Sequence, residues 1–332
     1  MPFSPRATHV AEQELVSGST VERERTPCPT AACRIPSGFE VLRLPSNAGG
    51  WRRALEGLVG AGGKTVILKS RFRDQLMQAG IQEPGHVGNG PLVMGHVVGG
   101  RTPHAIIKVG DDLCVLKTYR RGGFLGRWNS SRYWGSSRFL RELLVAAHAE
   151  CSSVPTAEVL ALVMERAGFG SMRAWMLTRY LPGARPLHEF FGEPLEAQMF
   201  RAAGAVVRSM HGAGINHQDL HLGNIVGSWV SGQAQAHIVD WDRARREPVG
   251  NWQPYANLIR LWRSVEKGRH LGGFERHGGG RGTSLTIEAR PVRAFIRGYF
   301  GGRSADLADA RKYFRRRALL LGMRSLFWRT RR

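Results

Sequence analysis

Asp219, Asn224 and Asp240 are three oxygen-bearing side chains at a spacing suited to work on a phosphate. Two of them lie in His217-Gln218-Asp219-Leu220-His221-Leu222-Gly223-Asn224. The third follows sixteen residues later, in Ala236-His237-Ile238-Val239-Asp240-Trp241-Asp242. Moving a phosphoryl group requires an oriented hydroxyl and a divalent cation that neutralises the phosphate oxygens. One carboxylate suits the first task, and a carboxylate with an amide oxygen suits the second. Asp219 is thus expected to position the acceptor hydroxyl, and Asn224 with Asp240 to hold Mg²⁺. Each residue alone has a plainer reading, because Asp and Asn are frequent in surface turns and Asp219 would serve as a helix cap. The set at this spacing is what points to chemistry. His211, His217 and His221 have no Cys or carboxylate partner at zinc spacing, so His217 is read as packing and orienting the loop.

The loop matches the H-x-D-x-x-x-x-N pattern of protein-kinase-like enzymes. Two further residues fit beside it. Val115-Leu116-Lys117 closes a β-rich run, where such an enzyme places the lysine that touches the α- and β-phosphates of ATP. Glu142 lies twenty-five residues on, in a stretch of helical spacing, and is expected to pair with Lys117. Taken alone, Lys117 and Glu142 would each be ordinary solvated residues. Gly95, Gly99 and Gly100 fall in a turn between two strands where backbone amides can approach phosphate oxygens, although a plain hairpin explains them equally well.

The elements that would carry these residues follow from period and punctuation. Pro91–Val98, His104–Val109 and Leu113–Tyr119 are short β-rich runs separated by Gly-rich turns, which predicts an antiparallel meander. Ser136–Cys151 and Glu196–His211 repeat apolar residues at helical spacing. Met172–Thr178 and His237–Val239 read as strands, and helices are expected from Asn251 onward. The fold class is therefore α+β, with a small antiparallel sheet lobe carrying one helix and a larger helical lobe. The expected division is a disordered leader over 1–36, an N-terminal extension over 37–90, the sheet lobe over 91–180, the helical lobe over 181–310 and a basic amphipathic tail over 311–332. In the extension, Trp51–Leu58, Thr65–Leu68 and Phe72–Ala79 suggest short helices and a strand.

Composition narrows the class. Apolar residues make up 42% and charged residues 22% of the 332, enough for a substantial core. Lys and Arg total 48 against 26 acids, a formal charge of +22, which predicts attraction to a polyanion. Between Leu113 and Arg141 there are seven basic residues and no acid, and Arg311 to Arg332 holds nine basic residues and no acid. The second run interleaves Arg with bulky apolar side chains, a pattern suited to an anionic bilayer surface, while a solvated face or flexible tail explains such runs as well. No nucleic-acid-binding motif is present, so no nucleic acid is expected as partner. The four cysteines form no CxxC pair, which suggests reduced cytoplasmic thiols. No secretory signal or transmembrane run is read.

With these residues in view, Gly95 to Lys267 resembles the lipopolysaccharide kinases, and among them the 3-deoxy-D-manno-octulosonic acid (Kdo) kinases. The likeness rests on Lys117-Thr118-Tyr119-Arg120-Arg121-Gly122-Gly123 with Arg132-Tyr133-Trp134, on Val154-Pro155-Thr156, on Leu181-Pro182-Gly183, on Asp240-Trp241-Asp242-Arg243-Ala244-Arg245, and on Asn257-Leu258-Ile259-Arg260-Leu261-Trp262-Arg263-Ser264. The resemblance implies a two-lobed kinase-like fold and ATP- and Mg²⁺-dependent phosphorylation of a Kdo hydroxyl on a lipid A precursor. It also implies a place at the cytoplasmic face of the bacterial inner membrane, peripheral to an anionic surface. Arg120 and Arg121 are expected to bind an acceptor carboxylate or phosphate. The N-terminal extension carries none of the family's motifs. Rival expectations are a kinase for core heptose, a small molecule or a protein, and a pseudokinase or basic membrane-binding scaffold. No specific protein partner is inferred.

Overall fold

The computed structural model describes residues 38–44, 63–99, 102–119, 132–167, 171–247, 253–270 and 290–301. Among them an antiparallel sheet is built from β1 (Phe39–Leu44), β2 (Lys64–Lys69), β3 (Val93–Gly99), β4 (Thr102–Val109), β5 (Asp112–Thr118), β6 (Tyr133–Trp134), β7 (Val159–Arg166) and β8 (Ser171–Arg179). Its order is β1-β2-β7-β8-β5-β4-β3, with β6 attached to β8. The meander expected from Pro91 to Tyr119 is β3-β4-β5. The short helices α1 (Arg73–Gln78) and α2 (Pro84–Val87) follow β2, and α3 (Ser137–Cys151) follows β6. Trp51–Leu58, the leader and the basic tail lie outside the described residues.

Alternation along the strands decides which side chains face α3. On β7 and β8, Leu162, Met164, Ala174 and Met176 are buried with Phe139, Leu140 and Leu143 of α3. Their neighbours Ala161, Val163, Trp175 and Leu177 point to the opposite face, where they pack with Val66, Leu68, Ile107 and Leu116 under Leu76, Ile81 and Val87 from α1, the α1–α2 turn and α2. The period-2 rule then places Lys117. It pairs with Met176, and its neighbour Leu116 with Leu177. Lys117 therefore shares the α3 face while Leu116 fills the outer core.

The helical lobe contains α4 (Glu196–Gly212), α5 (Gln253–His270) and α6 (Arg290–Phe300), with the short strands β9 (Arg185–Pro186), β10 (Ile215–His217), β11 (Ile225–Val230), β12 (Gln233–Ile238) and β13 (Ala244–Arg246). Helices α4 and α6 approach closely because glycine faces backbone at both contacts. A Cβ on Gly204 would lie 2.1 Å from the Phe295 carbonyl oxygen, and one on Gly298 2.0 Å from that of Arg201. β11 and β12 form a hairpin whose turn residues Ser231 and Gly232 both have positive φ, 49° and 76°, as a two-residue loop with the twist of its strands requires.

The two- and three-residue strands β6, β9, β10 and β13 carry no pattern of their own, and three longer strands, β1, β7 and β11, also differ from the expectation. β7 is apolar almost throughout because it is central and buried on both faces, and such a run does not show whether it is strand or helix. β1 and β11 draw their pairing from partners distant in sequence or from a turn without Asn-Gly.

Candidate active site

Two pairings aim the loops of the site. β10 pairs with β13, so His217 lies opposite Ala244, and β11 pairs with β12, so Ile225 lies opposite Ile238. Asn224 and Val239 extend that second ladder, with the Val239 N–H donating to the Asn224 carbonyl at 2.9 Å. Asn224 thus stands beside the residue that precedes Asp240. Its side-chain Nδ2 donates to the Asp219 carbonyl at 3.0 Å, which turns the amide oxygen away from that bond and leaves it available as a donor to a cation.

Lys117 is the centre of the charged group. Its Nζ donates to Glu142 Oε1 at 2.8 Å and to Asp240 Oδ1 at 2.7 Å. Desolvation alone would lower the Lys117 pKa, but the Glu142 and Asp240 carboxylates outweigh it and hold the ammonium charged. Glu142 is 2% exposed, and burial pushes its carboxyl above the usual range while Lys117 pulls it down. Its second oxygen accepts from Tyr119 Oη at 2.5 Å. Both Glu142 oxygens are thereby bonded, as a buried carboxylate requires. Partial desolvation acts to raise the Asp240 carboxyl, yet the Lys117 ammonium holds it below the ordinary value. Asp240 also has φ of 64°, in the left-handed region that non-glycine residues seldom occupy. Strain of that kind, of order 1–3 kcal/mol, persists where the surroundings over-determine it, typically at functional sites.

The supporting residues are bonded in the same spirit. His217 is fully buried, and burial lowers its pKa to about 4. Its neutral ring accepts the Asp219 N–H at Nδ1, 3.3 Å away, and stacks at a tilt against Trp241. The Trp241 indole N–H donates to Thr156 Oγ1 at 2.9 Å, and that hydroxyl donates to the Ile238 carbonyl at 2.7 Å. The strand that delivers Asp240 is therefore held by Thr156, in the segment between α3 and β7. Arg138, one turn before Glu142 on α3, forms a two-pronged bond to both oxygens of Asp242, with Nε to Oδ1 at 2.5 Å.

Of the residues expected from sequence, Lys117, Glu142 and Asp240 are brought into direct contact, and Asp219 and Asn224 join them through the loop bonds above. Gly99 ends β3 opposite Thr102, at the β3–β4 hairpin. Gly100, Arg120 and Arg121 lie outside the described residues. Sequence reading gave no role to Tyr119, Arg138, Thr156, Trp241 or Asp242. All but Arg138 sit inside runs that carry the family likeness. Arg138 is signalled only by its helical spacing from Glu142.

The donor set suits a hard cation. One carboxylate and one amide oxygen, with substrate phosphates completing the sphere, is how Mg²⁺ is usually held. The described residues contain no cluster of three His, Cys, Asp or Glu that would form a closed metal cage. A cavity of about 780 Å³, lined by Phe39, Lys69, Glu150, Cys151, Thr156 and His237 among others, contains none of the five site residues.

Residues 100–299 match the lipopolysaccharide kinase (Kdo/WaaP) family, a span that covers every described site residue except Gly99. The chain belongs to this family. Within it, 158 residues are 30% identical to the 3-deoxy-D-manno-octulosonic acid kinase of Vibrio cholerae serotype O1, covering 46% of this chain and 65% of that protein. The kinase of the same name from Photobacterium damsela subsp. piscicida is 31% identical over 164 residues, 48% of this chain and 67% of its own length. The chain thus spans about 65% of the Vibrio relative. The solved structure described as WaaP in complex with acyl carrier protein aligns over 78% of this chain and 95% of that one, with a TM-score of 0.48 and 16% identity. The α+β, two-lobed, kinase-like architecture accords with membership of this family.

Proposed function

We propose that this chain transfers the γ-phosphoryl group of ATP to a hydroxyl of a Kdo sugar on a lipopolysaccharide core or lipid A precursor. The observation that supports it most strongly is the direct contact of Lys117 with both Glu142 and Asp240, drawn from positions up to 123 residues apart, beside the bonded Asp219–Asn224 loop. In this reading Asp219 accepts the proton of the acceptor hydroxyl as its oxygen bonds to the γ-phosphorus. The bond from that phosphorus to the bridging oxygen breaks, and ADP leaves. Lys117 exchanges its bond to Asp240 for the α- and β-phosphates while Glu142 keeps it aimed. Mg²⁺, held by Asn224 and Asp240, would neutralise the phosphate charge. Arg120 and Arg121 would grip the acceptor's carboxylate or phosphate.

The membrane follows from the substrate. A lipid-borne acceptor places the enzyme at the cytoplasmic face of the inner membrane, and a chain of formal charge +22 is attracted to an anionic surface. No described helix is long and apolar enough to cross a bilayer.

Incubation with Mg²⁺-ATP and Kdo-bearing lipid A precursor, read by mass spectrometry, should show one added phosphate, lost on hydrolysis of the Kdo linkage. Phosphate added to a heptose-bearing core but not to Kdo would move the acceptor. Nucleotide binding without transfer to any acceptor would favour a scaffold and overturn the catalytic reading.

A further inference from the structure

We propose that Arg138 and Asp242 form a positioning latch that couples helix α3 to the loop carrying Asp240, so that Glu142 and Asp240 take up their places on Lys117 together. The inference rests on the reading of Lys117 and Asp240 as nucleotide and metal ligands.

Arg138 is poorly placed for its own helix. It lies in the first turn of α3, where the exposed N–H groups repel a cation, and this turn has no acidic residue and no side-chain cap from Ser136. Its guanidinium instead meets Asp242, 104 residues away, with two parallel bonds. Planar fork geometry of this kind fixes orientation as well as distance. The guanidinium also lies over the Tyr133 ring, 5.0 Å from its centre. Next to it Phe139 packs edge-on between Tyr119 and Tyr133, at 4.7 and 5.2 Å. Tyr119 in turn bonds Glu142.

Spacing makes these bonds act together. Arg138 and Glu142 are four residues apart and share one face of α3, about 6 Å apart along the axis. Asp240 and Asp242 are two residues apart on the opposing loop. The four side chains and Lys117 therefore form two rungs between α3 and that loop, one through Arg138–Asp242 and one through Glu142–Lys117–Asp240. A rotation of α3 that withdraws Glu142 must also break the fork, and displacement of Asp240 pulls on Asp242. The fork is the rung that no nucleotide needs to open, because Lys117 must let go of Asp240 to reach a phosphate whereas Arg138 need not let go of Asp242. The latch thus holds α3 in place during that exchange. The Asp242 side chain is only 16% exposed but that of Arg138 is 44% exposed, so desolvation of the carboxylate and screening of the guanidinium offset much of the attraction, which leaves orientation as the main effect of the pair.

The test is a double-mutant cycle in the full-length protein with Arg138→Gln, Asp242→Asn and the pair, plus Arg138→Lys, which keeps the charge and loses the fork. Each single variant should lower kcat about 10-fold or more, as loss of a supporting residue beside a metal ligand commonly does. Acceptor KM and thermal midpoint should hold, Arg138→Lys should fall between, and the double variant should be no worse than either single one. A double variant equal to the product of the singles overturns the latch. So does a raised Mg²⁺ requirement in Asp242→Asn but not in Arg138→Gln, which would make Asp242 a metal ligand. Calorimetric binding of Mg²⁺-ATP separates failure of the latch from failure of the acceptor assignment. If no acceptor is phosphorylated by the wild type, the latch still predicts weaker nucleotide binding in both single variants, and unchanged binding sinks it. Should Arg138→Gln not fold, the same comparison is made with Arg138→Lys.

Discussion

The two faces of the sheet lobe are built from the same strands by opposite chemistry. The centre of the outer face is apolar, Leu68, Ile107 and Leu177 against Leu76, Ile81 and Val87, and its charges, such as the Lys64–Glu83 pair, stand at the edge. The inner face adds to its apolar packing a set of charges, with Lys117 between Glu142 and Asp240 and Arg138 on Asp242. Apolar burial stabilises without specifying direction. Charges near the cleft do the reverse, because desolvation consumes most of their attraction while their geometry stays fixed. A lobe that must hold a phosphate in one orientation thus separates its tasks, with stability supplied outside and aim supplied inside.

The sharpest way to break this contrast is at the loop. Asp219 is 49% exposed by side chain, so Asp219→Ala should leave the melting temperature unchanged. Transfer should fall by about 10²–10⁴-fold, the usual contribution of a positioned proton acceptor. Turnover at the wild-type rate in a quantitative phosphate assay would remove the assignment. The converse variant is Ile107→Ala, whose side chain is fully buried in the outer core. It should lose roughly 2–5 kcal/mol of stability in urea denaturation and keep wild-type kcat at a temperature where it is folded. A large loss of kcat there would show that the faces are not separate.

His211 supplies an intermediate case in the helical lobe, a polar ring inside apolar surroundings. Burial depresses its pKa to about 3, and Nδ1 meets Tyr299 Oη at 2.7 Å. Because the folded value is depressed, the unfolded chain takes up the proton near pH 6.5 and the native ring does not until about pH 3. Stability present above pH 6.5 is therefore lost as pH falls, by about 2 kcal/mol between pH 7 and 5 from this residue. Denaturation curves at the two pH values should show that loss, and His211→Asn should reduce it. An effect of comparable size is expected at Thr156→Val, which removes two hydrogen bonds around Trp241 and Ile238 while keeping the shape. It should destabilise by about 1–3 kcal/mol, and kcat should fall more than acceptor affinity if Thr156 aims the Asp240 strand.

Much of this was legible in the residues. Lys117 could be assigned to a strand and Glu142 to a helix because alternation and helical period are local signals. The loop could be read because its donors lie close in sequence. The contact between Lys117 and Asp240, 123 residues apart, is set by tertiary packing that no local pattern records. The same holds for Arg138, whose partner is 104 residues away and whose position at a helix start even runs against local preference. β7 was missed because burial on both faces removes the alternation that marks a strand. Residues 39–44 and 64–69 read as part of an extension, yet as β1 and β2 they continue the sheet past β7, an edge pairing that no motif signals.

The glycine contacts between α4 and α6 bear on where this chain can be shortened. With backbone against backbone at Gly204 and Gly298, residues 290–301 act as a wall of the helical lobe rather than as trailing sequence. Ending the gene just after α5 would strip Phe200, Ala203 and Val207 of neighbours in their cluster and yield an insoluble product instead of a minimal enzyme.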